Sequence, residues 1–173
     1  MTGDRTWQRW RGPMAATGVV VAALTVGRLL VGDAGLASVL VNESPSLPRG
    51  LYLRTGAAVE RGSIVAIAQP QAARPYLARL GMPGEVLLLK RAAAVGGERV
   101  CAADGWIRTP GGQAKALERD GRGAALPRWS GCRRLAREEL FLLGDTPGSF
   151  DSRYFGPVTR DEAAGVYREV LTW

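Results

Sequence analysis

At 173 residues, 46% hydrophobic and 7% aromatic, the chain is long enough for one globular domain with its own core and too short for a second large one. Its net charge is +7, but every basic residue except Lys90 and Lys115 is an arginine, scattered among Asp and Glu without interleaved aromatics, so a solvated surface is expected rather than a nucleic-acid interface. There is no histidine, which removes Ser-His and Cys-His relays and the commonest zinc ligand, and two cysteines cannot close a structural zinc site. With no Gly-rich phosphate loop either, no metal or cofactor is expected, and any proton carrier must be Lys, Asp, Glu, Tyr or Cys.

The first eleven residues carry three arginines against one aspartate, with Trp7 and Trp10 near the start of an apolar run. Gly12 to Gly27 holds no charge, and after Arg28 the run resumes as Leu-Leu-Val-Gly before Asp33. This gives about twenty residues, enough for one membrane span if Arg28 snorkels near its end, and the positive flank keeps the N-terminus cytoplasmic. The expected organisation is a basic tail over 1–11, an anchor over 12–32 and an exported domain over 33–173. A cleaved signal peptide ending near Ala34-Gly-Leu-Ala37 is the rival reading, and it exports the same domain. A buried helix of a soluble core would leave the arginine and tryptophan flanks unexplained.

Asn42 to Tyr52 reads NESPSLPRGLY. In an extended segment residues two apart share a face, and each proline pushes its predecessor out of the helical region, so Ser44 and Ser46 are expected to point the same way from a stiff backbone. Alone, the stretch is also what an ordinary surface loop looks like. Gly50–Arg54 and Ser63–Ala68 read as short strands, and Pro70–Leu80 as a short helix or lid.

Glu85–Val95, EVLLLKRAAAV, is the most apolar stretch after the anchor and is expected to be a strand buried on both faces. Its period of two puts Lys90 on a face with Val86, Leu88, Ala92 and Ala94, and Arg91 on the other. A lysine in such surroundings loses hydration of its charged form, its pKa falls, and it can take a proton, which the neighbouring arginine cannot do. The competing reading is a lysine snorkelling from an edge strand.

Ala102–Ser130 reads as a polar loop between Cys101 and Cys132. In an exported domain these two would pair, a structural rather than catalytic role, and Lys115 in that loop has nothing to desolvate it. Glu139–Leu143 is a further strand, opening into the turn Gly144-Asp-Thr-Pro-Gly-Ser-Phe-Asp-Ser-Arg. Thr159-Arg-Asp-Glu162 is a capping box before a last strand, Val166–Leu171.

Three motifs thus stand in order: SPSLPRGLY, LLLKRAAAVGG and GDTPGSFDSRYFG. Together they resemble the type I signal peptidases, serine proteases with a Ser-Lys dyad. The Pro-Ser-Leu-Pro-Arg-Gly, Trp-Ser-Gly-Cys-Arg and Ser-Phe-Asp-Ser-Arg-Tyr-Phe-Gly-Pro segments look most like the TraF-type conjugative transfer peptidases within that group. The resemblance implies a mainly β fold, with a coiled β-sheet catalytic domain behind one N-terminal transmembrane helix. It also implies Ser46 as nucleophile, Lys90 as general base, and Ser44 with the Ser46 N–H as oxyanion hole. Ser149 would orient the lysine, Asp151 and Arg153 would buttress the site, and Asp145 would support it. The implied setting is the bacterial inner membrane with the catalytic domain in the periplasm. The implied partners are a pilin precursor or other exported preprotein, membrane lipid and conjugation or type IV secretion components.

The chain departs from the commoner pattern at Leu47, where many signal peptidases have methionine, and at Gly97-Glu98. Gly144-Asp-Thr-Pro also lacks the continuation found in the housekeeping enzymes. These departures spare the proposed catalytic groups and favour a dedicated substrate over general secretory processing. A self-cleaving repressor-type Ser-Lys peptidase would need a DNA-binding domain where this chain has its apolar segment. A rival of another class is a non-catalytic, membrane-anchored component of a pilus or type IV secretion machine.

Overall fold

The computed structural model describes residues 38–173, and the anchor assigned to 12–32 lies outside them. Among the described residues no helix is long and apolar enough to cross a membrane. The described chain is mainly β. Strands β1 (Val39–Asn42), β2 (Gly50–Thr55), β3 (Ile64–Ile67), β4 (Leu88–Val95), β9 (Glu139–Leu143), β10 (Val158–Thr159) and β11 (Ala163–Thr172) form a seven-stranded sheet in the order β1-β2-β11-β3-β4-β9-β10. Strands β5 (Arg99–Ala103), β6 (Trp106–Thr109), β7 (Gly112–Lys115) and β8 (Gly131–Arg134) form a second sheet in the order β7-β6-β5-β8. All these pairings are antiparallel. Two short helices, α1 (Arg74–Arg79) and α2 (Ser152–Phe155), complete the set with a 3₁₀ turn at Arg160–Glu162.

The β-branched and leucine-rich strands β3, β4 and β9 occupy the middle of the large sheet, where both edges of each strand are paired. Val65, Ile67, Leu88, Ala92, Leu140 and Leu142 pack there against Tyr76 and Leu77 of α1. On β4 the face holding Leu88, Lys90, Ala92 and Ala94 is wholly buried, whereas Arg91, Ala93 and Val95 on the other face are only half-buried. The two-sided burial expected of this strand is therefore one-sided beyond Leu89, because the charged Arg91 must reach water and a carboxylate. The strand also begins at Leu88 rather than Glu85.

The polar stretch 102–130 is not loop throughout. It contains the hairpin β6–β7, closed by the two residues Pro110 and Gly111, with Thr109 opposite Gly112 and Trp106 opposite Lys115. Ile107 is the reason: its side chain is 1% exposed and joins Ala94, Val100, Leu135 and Phe141 in the core beneath the small sheet. One buried residue between polar neighbours is enough to fix the register of a short strand, since a slip by one residue would expose it.

Cys101 and Cys132 stand directly opposite each other on β5 and β8, and their sulfurs are bonded, with Cα atoms 3.9 Å apart and a sequence separation of 31. The disulfide ties the start of the hairpin region to its return strand. Replacing both cysteines by Ser is expected to cost roughly 3 to 4 kcal/mol by removing the loop constraint from the unfolded chain, read as a lowered midpoint in urea unfolding.

Candidate active site

Ser44 and Ser46 lie in a tight turn between β1 and β2, not in the extended segment expected for them. The correction has a local cause in Asn42, the last residue of β1. Its side-chain amide donates to the carbonyls of Ser44 at 2.9 Å, Leu47 at 3.1 Å and Pro48 at 2.9 Å, and its Oδ1 accepts from the Ser44 N–H at 3.2 Å. An Asn that satisfies the backbone groups of a following turn removes their need for a strand partner. Sequence reasoning assigned Asn42 no role, although an Asn two residues before a Ser-Pro pair is the signal for such a turn. Tyr52, fully buried on β2, donates its hydroxyl to Pro48 O at 2.7 Å and pins the far side.

The two serines face each other across this turn. The Ser44 hydroxyl donates to Ser46 Oγ at 3.0 Å, and the Ser46 N–H donates to Ser44 Oγ at 3.2 Å. Ser46 is 6% exposed, and Leu47 beside it is buried against Ile64, Ala66 and Leu89. The turn is fastened from outside by the Asp145 N–H, which donates to Ser46 O at 2.7 Å. Just before it, Gly144 is required: a Cβ there would meet the Ser149 side chain and come within 2.9 Å of Ser46 O.

Lys90 stands on β4 opposite Val65 and is 4% exposed. Burial pushes its pKa down from 10.5 to about 8; the Asp151 charge works against this and the Arg153 charge works with it. Its ammonium donates to the Leu89 carbonyl at 3.2 Å. Ser149 Oγ is buried and has no partner among the described residues.

The turn after β9 is built on a buried ion pair. Asp151 and Arg153 are 0% and 1% exposed, and Arg153 meets the carboxylate with both arms, Nε to Oδ1 at 2.8 Å and Nη2 to Oδ2 at 2.7 Å. Asp151 also accepts from the N–H of Gly144 at 2.8 Å and of Arg153 at 3.1 Å. The other guanidinium protons go to the carbonyls of Lys115, Thr146, Pro147 and Ser149. Asp145, by contrast, is partly exposed and pairs with Arg91 through both oxygens at 3.0 and 2.8 Å. Among the residues named from the sequence, Ser44, Ser46, Asp145, Ser149, Asp151 and Arg153 are thus linked by direct bonds or close packing, and Lys90 lies within the field of the Asp151–Arg153 pair. Cys101 and Cys132 sit apart in the small sheet. Among the described residues no cluster of metal-binding side chains occurs.

The class of the protein follows from its sequence relatives. The chain belongs to the signal peptidase family, peptidase S26, whose family model matches residues 12–173. Its relatives include a plasmid transfer protein TraF from Escherichia coli, 38% identical over 84% of this chain and 89% of that one, and a second from the same species, 35% identical over 91% and 96%. A probable conjugal transfer protein TraF from Sinorhizobium fredii is 30% identical over 98% of this chain and 96% of its own. Among solved structures, a signal peptidase I from Enterococcus faecalis V583 superposes with a TM-score of 0.40 at 23% identity, covering 65% of this chain and 98% of that chain.

Removing one partner of the buried pair strands the other charge in the core. Asp151→Leu and Arg153→Met are each expected to cost about 3 to 5 kcal/mol, and the double variant is expected to lose less than the sum of the two, since no charge is then stranded although the backbone groups the pair serves stay unpaired. A double-mutant cycle by urea unfolding checks this, and strictly additive losses would contradict a coupled pair.

Proposed function

We propose that the chain is a membrane-anchored serine endopeptidase in which Ser46 is the nucleophile and Lys90 its general base, acting in the periplasm on an exported precursor, specifically a conjugative pilin precursor. The observation that carries this reading is Lys90, a lysine buried on a central strand with a pKa of about 8 in a chain without histidine. About one molecule in ten then holds it neutral at pH 7, so a base is available under ordinary conditions. The relatives named as plasmid and conjugal transfer proteins support the choice of substrate.

In this mechanism neutral Lys90 takes the Ser46 hydroxyl proton as Oγ attacks the scissile carbonyl. The carbonyl oxygen gains the negative charge, and the Ser46 N–H and the Ser44 hydroxyl hold it. In the free chain the Ser46 N–H donates to Ser44 Oγ at 3.2 Å and the Ser44 hydroxyl to Ser46 Oγ at 3.0 Å, and in this reading both donors leave those contacts for the oxyanion as it forms. Collapse expels the amine of the leaving peptide, which takes the proton back from Lys90 and leaves an ester on Ser46. Water then gives a free carboxylate, or an amine of the same precursor gives a cyclic product. Ser149, whose buried hydroxyl lacks a partner among the described residues, is assigned to orient the lysine as the substrate arrives. Asp151 and Arg153 hold the turn, and Asp145 ties that turn to the Ser46 carbonyl.

The test is incubation of the purified full chain with pilin precursor, followed by mass spectrometry, in which a cyclic product is one water lighter than the linear one. Ser46→Ala and Lys90→Arg are expected to abolish processing. Lys90→Arg is the sharper test, since it keeps the charge but cannot deprotonate, and processing by that variant would overturn the dyad. Because the base is the neutral form, the rate is expected to rise about tenfold per pH unit below 8 and to level off above it.

Ser44→Ala should leave the fold intact and lower kcat by about 10²- to 10³-fold with little change in KM. A loss confined to KM would place Ser44 in substrate binding instead.

A further inference from the structure

A cavity of about 590 Å³ opens between the ends of β4 and β9 and the β6–β7 hairpin, and the proposed chemistry does not use it. It shares Gly144 and Asp145 with the turn that fastens Ser46. Its walls are mostly apolar, with Trp106, Leu117, Leu143 and Pro147 among them, and Arg61, Arg91 and Lys115 line it as well. Two of these cations are already paired, Arg61 with Glu98 at 2.9 Å and Arg91 with Asp145 at 2.8 Å. Lys115 is exposed, and among the described residues its ammonium has no ion pair.

The hairpin contributes more than side chains. Strand β7 is the edge of its sheet and pairs with β6 alone, and all four of its residues line the cavity. Alternate residues of such a strand turn their N–H and C=O groups away from the partner. The Lys115 carbonyl is one of these, since it accepts from Arg153 Nη1 at 3.0 Å, and the period of two makes Gln113 the next. The hairpin turn is held close to β4, because a Cβ on Gly111 would come within 2.9 Å of Ala93 O. One wall of the cavity is thus a strand edge with no further strand beside it among the described residues, its Lys115 carbonyl held by Arg153 and its Gln113 N–H and C=O turned outward, the arrangement on which extended peptides add by β-augmentation.

We propose that this cavity docks an extended, acidic stretch of the polypeptide substrate, on the far side of the Gly144–Asp145 turn from the Ser46 hydroxyl's own partner Ser44. The segment adds to the free edge of β7, small or apolar side chains turn toward Trp106 and Leu143, and a carboxylate meets Lys115. The inference rests on the peptidase reading for the identity of its ligand, but the docking itself needs no chemistry.

The test therefore uses the full chain in detergent micelles with Ser46→Ala, and fluorescein-labelled octapeptides alternating Ala with Glu or Ala with Lys, followed by fluorescence polarisation. The Ala-Glu peptide is expected to bind at least tenfold more tightly than the Ala-Lys peptide. Methylating the amide nitrogens of alternate Ala-Glu residues keeps the charge and blocks strand addition, and should weaken binding at least tenfold. Lys115→Glu should do the same, whereas Arg168→Glu, an equal charge change on exposed β11, should leave binding unchanged. Thermal melts confirm that both variants fold. Equal binding of the two peptides, indifference to methylation, or equal losses from both charge reversals would overturn the docking site, the last marking nonspecific attraction to a basic protein. Processing of precursor by the chain with Ser46 intact is measured in parallel. Failure there with the binding pattern present counts against the peptidase reading, and processing without the pattern counts against the docking site alone.

Discussion

The contact between Asp151 and Arg153 sets the conditions for the rest of the site. Both side chains are shut away from water, which is tolerable only because every strong hydrogen-bonding position is occupied. Arg153 reaches four backbone carbonyls, three of them in its own turn, and so folds residues 144–153 around one guanidinium. That turn carries the Gly144 and Asp145 backbone against Ser46, and it sequesters Ser149. The serine turn in front is organised by the same means on a smaller scale, with Asn42 in place of the arginine.

The same pair also explains why Lys90 remains a weak acid-base group rather than a salt-bridge partner. A carboxylate nearby would normally restore a buried lysine toward its usual pKa. Here the oxygens of Asp151 already receive Nε and Nη2 of Arg153 and two backbone N–H groups, and the adjacent guanidinium charge opposes the ammonium. Desolvation is left as the largest influence, and the pKa settles near 8. The shift corresponds to about 3 kcal/mol against the charged form, a large part of the net stability of an ordinary domain. In the linkage sense the folded chain binds its proton less tightly than the unfolded one, so this burden is greatest below pH 8 and fades as pH rises toward 10.5.

The parts of this arrangement that depend on local pattern were legible in the sequence. Glu139–Leu143 is a strand over those residues, and the capping box at Thr159 is present, with Glu162 accepting from the Thr159 N–H at 2.7 Å. The period of two put Lys90 on the right face of β4 because that face is apolar on both sides of it. Less legible were features set by distant partners. The β6–β7 hairpin exists because Ile107 finds a core built from β5 and β9, and nothing within its own polar neighbourhood announces that core. The serine turn departs from the extended segment expected of it because Pro45 and Pro48 favour extension only locally, while the Asn42 side chain bonds the backbone of a turn. Arg91 was placed on the opposite face from Lys90, yet its bond to Asp145 comes from β4 lying beside β9, which is a matter of topology.

The near absence of lysine has a consequence of a different kind. Lys90 is enclosed, and of the chain's lysines only Lys115 offers an exposed amine. Guanidinium groups stay protonated and do not act as nucleophiles at ordinary pH. Under the proposed chemistry the ester on Ser46 waits for either water or an amine, and any side-chain amine within reach of it, apart from Lys90 serving as its base, is a competing acceptor. A surface that draws its positive charge from arginine gives solubility and electrostatic attraction without offering such acceptors, so the acyl group is protected from capture by the protein that carries it.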